Sequence, residues 1–269
     1  MEETDITFTE IFKNTGKWIL IGAVFPILAI IIYLIFFNQA QSFTNSIDMI
    51  FTWIPSGEFI MGSPPDEPER DNDETQHKVI ISKGFYMLTT EVTNAQWYIV
   101  MGDIPSVWKQ PQRPVEGVNW DDIQVFIRKL NEKDKTAIYR LPTEAEWEYS
   151  CRAGNSSAWH CGDNDEVLRD YAWFNINSGF QTNLVAQKLP NVWGLYDMHG
   201  NVWEWCSDTY GAYPKGTVTD PTGATSGDTK VVRGGCWLGA SIHNRSATRL
   251  DLSTDRKGNL SGFRLVAER

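Results

Sequence analysis

The chain has 269 residues, 42% of them hydrophobic and 22% charged, enough apolar content for a packed core in one large domain. Its net charge of −10 excludes nucleic-acid binding, which needs a basic face, and leaves a surface that attracts cations. Twelve tryptophans beside 21 glycines and 12 prolines point to an irregular, loop-heavy domain whose core is filled by large rings.

Residues 18–37 read WILIGAVFPILAIIIYLIFF, an uncharged run of twenty residues, the length of a helix that spans a bilayer. Pro26 is tolerated in such a helix. Lys13 and Lys17 precede the run, and the next basic residue is Arg70. The positive-inside rule therefore places residues 1–17 in the cytoplasm and the main domain outside, periplasmic or extracellular. A cleaved signal peptide is the weaker alternative, because the run is too long and Asn38 is a poor residue at the −3 position of a cut after Ala40. Residues 38–48 then form a linker, and one globular domain occupies 49–269.

Within that domain, FTWIPSGEFIMGS alternates as a strand does, with a turn at Ser56-Gly57. The acidic loop PPDEPERDNDETQH follows, and its carboxylate spacing does not match an EF-hand. KVIISKGFYMLTTEVT is predicted as one or two strands. Thr93, with Gln96 three residues on, is a capping box that opens a first helix. A second helix starts after Asn119, where Ile123, Phe126, Ile127 and Leu130 share a face. A third opens in LPTEAEWEYSC, with Thr143 and Glu146 capping reciprocally. After Ala153 the helical signal is lost, and only short strand-like runs such as KVVRGG and GFRLV stand out.

Several side chains invite chemistry. Cys151, Cys161, Cys206 and Cys236 form no CxxC pair, which argues against a zinc site of that kind; disulfides and buried free thiols both stay open. The stretch GLYDMHGNVWEWCSD sets Asp197, Glu204 and Asp208 beside Trp203 and Trp205. Such carboxylates either cap turns and pair with arginines, or hold a cation such as Ca²⁺, which takes roughly six to eight hard oxygens. His199 beside a glycine turn is a general acid–base candidate, or a hydrogen-bonded loop residue. Arg233, Arg245, Arg249 and Arg264 suit a structural role, satisfying loop carbonyls and carboxylates, more than a ligand groove. No nucleophile elbow, P-loop or GxGxxG is present.

GEFIMGS, EVTNAQW, RPVEGVNWDD, YRLPTEAEWEYSCRAG, PNVWGLYDMHGNVWEWCSD, VVRGGCW and GFRLV follow in this order across about residues 50–268. The set resembles the formylglycine-generating enzyme family, also called sulfatase-modifying-factor domains. The resemblance implies an α+β domain with a C-type-lectin-like core and little regular secondary structure, here preceded by one transmembrane helix. It also implies bound Ca²⁺, held by the side chains of Asp197 and Glu204 and the backbone carbonyls of Gly200 and Val202. Asn175 or Asn177 would serve a second calcium site.

Catalytic members of the family oxidise a substrate cysteine with O₂ and copper, using two cysteines shortly after the RGG turn. Those positions fall at Gly239 and at Asn244, or at His243 if the loop shifts by one, and none is Cys. Copper is therefore not expected; Cys236 with His243 is the remaining pair, and it needs a rearranged loop. The family's ergothioneine branch uses three histidines on a separate helical domain, which His77, His160, His199 and His243 do not reproduce. The expectation is a membrane-anchored, calcium-binding, non-catalytic domain that serves as a binding, scaffold or accessory subunit for a protein partner in a membrane assembly. The alternative is a divergent metal-dependent oxidase or a maturation factor acting on an exported protein.

Overall fold

Three helices begin where their caps are written. In the computed structural model, which describes residues 42–269, α1 (Asn94–Met101) opens at Thr93, α2 (Trp120–Lys133) at Asn119 and α3 (Glu144–Arg152) at Thr143. Each cap side chain accepts the amide three residues on, and Gln96, Asp122 and Glu146 return to the cap amides. α2 buries Ile123, Phe126, Ile127 and Leu130, the face its spacing selects. α3 is buried all round, Glu144, Glu146, Glu148 and Arg152 included, so its charges must be paired inside the protein. A one-turn helix, α4 (Asp165–Leu168), is capped by Asn164; four residues are too few to show a helical period in sequence.

The strands form small mixed sheets around these helices, an α+β arrangement. β1 (Ser42–Thr44) opens the described chain. β2 (Ile50–Ile54) and β3 (Gly57–Met61) are separated by a short turn yet enter different sheets. β2 pairs antiparallel with β5 (Phe85–Leu88), and β3 pairs antiparallel with β4 (His77–Ile81). The first sheet continues from β5 through β12 (Val266–Glu268) to β6 (Ile138–Arg140), so the last strand is laid between two earlier ones. In the second sheet, β7 (Trp203–Thr209) pairs with β9 (Thr229–Arg233) and β11 (Ser261–Gly262), and β10 (Arg249–Ser253) pairs with β9. The third sheet adds β8 (Val218–Thr219) to β4.

Large rings fill the core, as the composition implies. Trp147, Trp205, Phe51, Phe126, Phe174 and Phe263 are fully buried, and Trp97 stacks on Phe126 at 5.2 Å between ring centroids. Trp203, one position from Glu204, is only half-buried. The compact unit runs Thr44–Arg269, with Asn45 Oδ1 accepting the amides of Ile47 and Met49 at 3.1 and 3.0 Å. The expected span 18–37 lies outside the described residues; among the described residues no helix is long and apolar enough to cross a membrane.

Candidate functional site

The turn before β7 is built from left-handed backbone. Asp197, Gly200 and Asn201 have φ of 55°, 84° and 56°. At Gly200 the close approach is decisive: a Cβ would run into the Trp173 carbonyl. The Gly200 amide donates to Gly234 O at 2.7 Å and the Asn201 amide to Trp173 O at 2.8 Å, so the turn is tied to the RGG loop and to the 173 segment.

This turn gathers charge in the interior. Asp197, Glu204, Glu91 and Arg264 are each 0–2% exposed. Arg264 donates from Nε and Nη2 to the two Glu204 carboxylate oxygens, both at 2.6 Å, and Trp147 Nε1 donates to Glu204 Oε2 at 2.7 Å. Glu204 thus carries its own counter-cation. Asp197 Oδ2 accepts the Ala186 amide at 2.8 Å, while its Oδ1 has no partner among the described residues. Glu91 Oε1 accepts from Asn201 Nδ2 at 2.9 Å, and its Oε2 is likewise orphaned. Burial pushes the Asp197 carboxyl up to about 6. Burial, then the charges of Asp197 and Glu204, raises Glu91 well above the carboxylate range. Three buried carboxyls against one guanidinium leave an excess of negative charge that protonation or a bound cation must remove.

Two of the four expected calcium ligands can be tested directly. Asp197, with an unpartnered buried oxygen, fits a hard cation; Glu204 has both oxygens committed to Arg264 and Trp147. Gly200 and Val202 lie between them on the same turn. Glu91 supplies a second orphaned oxygen that sequence reasoning did not single out, although it stands in the EVTNAQW motif. Among the described residues no three His, Cys, Asp or Glu side chains converge as a metal site, so a calcium ion here would need carbonyl oxygens too. Of the second-site candidates, Asn177 closes its own turn, accepting the Phe174 amide at 2.9 Å and donating to Ala172 O at 2.9 Å. Asn175 contributes its amide to Gly239 O at 3.1 Å.

The four arginines are structural. Arg233 donates from Nη1 to Ala247 O and Thr248 O, both at 2.7 Å, and from Nη2 to Ser246 O at 2.9 Å and to Glu148. Glu148 also accepts the Gly62 amide at 2.9 Å and Arg152 Nε at 2.8 Å. Arg245 is bidentate to Glu74 and Arg249 to Glu144.

Where the resemblance places a second copper thiol, Asn244 does a different job. It is fully buried, it lies so close under Gly235 that a Cβ there would strike its Oδ1, and its Nδ2 donates to Ala240 O at 2.7 Å. Its carbonyl accepts from His199 Nδ1 at 2.7 Å, and His199 Nε2 accepts the His160 amide at 3.2 Å. Both ring nitrogens are therefore used, and burial, then His160, lowers the His199 pKa well below its usual value. This is a loop-holding histidine, not a free acid–base. Cys236 is buried with its thiol raised by burial, His243 is exposed, and no hydrogen bond joins them. All four cysteines are free thiols; burial pushes Cys151 up to about 12 and Cys161 up to about 11.

Residues 39–269 match the family described as "Sulfatase-modifying factor enzyme 1-like domain". The chain is 33% identical over 194 residues to a formylglycine-generating enzyme of Streptomyces coelicolor, covering 64% of this chain and 58% of that protein. It is 26% identical over 280 residues to the mouse protein "Inactive C-alpha-formylglycine-generating enzyme 2", covering 82% of this chain and 86% of that one. Among solved structures it is similar to Treponema denticola variable protein 1, with a TM-score of 0.78 and 28% identity over 85% of this chain and 99% of the other. The chain spans 50–63% of the length of the formylglycine-generating enzymes it matches. Seven ordered motifs, a family match over the whole described domain and a shared fold lead to one conclusion: the chain belongs to the sulfatase-modifying factor enzyme 1-like domain family.

Proposed function

We propose that this chain is a non-catalytic, calcium-stabilised member of its family that serves as a binding or accessory subunit of a membrane assembly, anchored by residues 18–37 with its domain on the extracytoplasmic side. The observation that carries the reading is the role of Asn244. A catalytic member needs a soft thiolate pair after the RGG turn. Here one position is Gly239, with no side chain, and the other is an asparagine that props the turn. The thiols elsewhere in the domain are held protonated by burial, the opposite of what a reactive or copper-binding thiolate requires. Similarity to a mouse protein named as inactive supports the same side.

Calcium enters this reading through the orphaned oxygens. Asp197 Oδ1 and Glu91 Oε2, with backbone carbonyls of the Gly200–Val202 turn, would hold the ion, and Glu204 would neutralise Arg264 beside it. When bound, the ion supplies positive charge to a buried acidic cluster and rigidity to a turn poor in ladder hydrogen bonds.

The test is Cu(I) titration of the full chain and of Cys236→Ser, with O₂ uptake in the presence of a cysteine-containing peptide. No tight copper and no turnover are expected; turnover would establish the oxidase alternative instead. A pull-down from solubilised membranes should recover a stoichiometric protein partner, and repeated recovery of the lone chain would overturn the accessory role.

A further inference from the structure

A polar pocket lies at the start of α3 and the end of β7, flanked by the 211–214 and 221–225 loops. It is a cavity of about 270 Å³. Its floor is buried and polar, formed by His77, Glu144, Asp208 and Arg249; its mouth carries exposed Ala212 and Pro214. That volume is below the roughly 300–1,000 Å³ of pockets for drug-sized ligands, so any occupant is small.

Two floor groups lack what burial demands. His77 is 6% exposed, and its Nδ1 donates to Thr75 O at 3.1 Å, which leaves Nε2 as an acceptor. That Nε2 has no partner among the described residues. Asp208 is 2% exposed and accepts only the Glu144 amide and Ser207 Oγ, each at 3.0 Å. No Lys or Arg pairs with it among the described residues. The charges that act on it most are the carboxylates Glu144 and Glu146, and burial followed by Glu144 pushes its carboxyl up to about 7. A buried carboxylate without a cation is costly, and so is a buried acceptor without a donor.

The cations and donors nearby are already spent. Arg249 gives Nε and Nη2 to Glu144 at 2.8 and 2.7 Å, and its guanidinium lies 4.0 Å from the Tyr213 ring centroid. Tyr213 donates its hydroxyl to Glu144 at 2.8 Å, and its ring packs against His77 at 4.7 Å. The pocket thus offers acceptors and negative charge on its floor beside the apolar side chains of Met61, Ala145 and Pro214. These line the same cavity as Asp208 and His77, so its lining suits a cation that carries an aliphatic stem.

We infer that this cavity binds a primary alkylammonium group, its nitrogen donating to Asp208 and to His77 Nε2 and its aliphatic stem lying along Met61, Ala145 and Pro214. The site is independent of the calcium cluster and of the non-catalytic reading.

The test uses the whole 269-residue chain in detergent at about pH 8, roughly one unit above the raised Asp208 pKa, where its carboxyl is mainly ionised and alkylamines stay protonated as lysine does. Calorimetric titration with n-butylammonium and with Nα-acetyl-lysine amide is compared with the neutral isostere 1-butanol, each against a detergent blank. Binding of either amine with no binding of 1-butanol is expected, and the preferred amine tells whether a free amine or a lysine side chain is the source. Asp208→Asn should weaken the amine at least about tenfold, since it removes the charge while keeping the acceptor to Glu144. His77→Phe keeps the ring contact with Tyr213, removes Nε2, and should also weaken binding. Failure of both amines to bind, equal binding of 1-butanol, or unchanged affinity in both variants overturns the proposal and leaves a water-filled cavity.

Discussion

His199 Nδ1 donates to the backbone carbonyl of Asn244 at 2.7 Å, joining the turn before β7 to the loop after the RGG segment across 45 residues of chain. Two of the segments that follow one another in the motif order are thereby held together as one structural unit. His199→Phe would strand the Asn244 carbonyl and the His160 amide in the interior. We expect a loss of about 2–4 kcal/mol in urea denaturation, from the two orphaned groups and the repacking of a buried ring. Cys151, whose sulfur lies 3.7 Å from His199 Nε2, should become open to alkylation in the same variant. An unchanged midpoint would show that the two segments are held by other contacts.

Glu148 bridges Arg152 and Arg233 with none of its side chain exposed. Removing it leaves two buried guanidinia short of a counter-charge. Glu148→Ala should cost about 3–5 kcal/mol, measured by chemical denaturation, and the surface pair Lys78–Glu58 serves as the control that costs less than about 1 kcal/mol.

Asp208 makes stability depend on pH in a defined direction. Its carboxyl is raised to about 7 in the folded chain, above its ordinary value, so its contribution is full in acid and is lost as pH rises through 7. Asp208→Asn cannot titrate. The variant should therefore lose less stability than the parent between about pH 5 and pH 8, by roughly 1–3 kcal/mol. Parallel pH profiles would sink this assignment.

Chelation tests the calcium proposal. EDTA should lower the melting temperature by about 5 °C or more, as removal of a ligand bound only by the folded state does. Asp197→Asn should abolish most of that sensitivity. Glu204→Ala is the less direct probe, because it also strips Arg264 and Trp147 of their shared acceptor. A melt that is indifferent to chelator would refute the site.

Cys161 is the half-exposed thiol, whereas Cys151, Cys206 and Cys236 are buried. Alkylation of the native chain followed by mass spectrometry should label Cys161 first and slowly, since burial raises its pKa to about 11. Rapid labelling of Cys236 would reopen the question of a reactive thiol after the RGG turn.

Much of this protein was legible in the sequence because it is local. Thr93, Asn119 and Thr143 start helices through contacts three residues away, and the buried face of α2 repeats with the helical period. The ordered motifs named the family and so its fold, and they showed that no cysteine stands at Gly239 or Asn244. Tertiary structure alone decided which partners those residues meet. Adjacent β2 and β3 went to separate sheets because their edges pair with β5 and β4, not with each other. Glu204 was committed to Arg264, 60 residues on, and Glu91 was brought through Asn201, 110 residues away, to the Asp197 cluster. Caps and periods are set by neighbours along the chain. The pairing of a buried charge is set by which distant segment closes over it, and no local spacing encodes that choice.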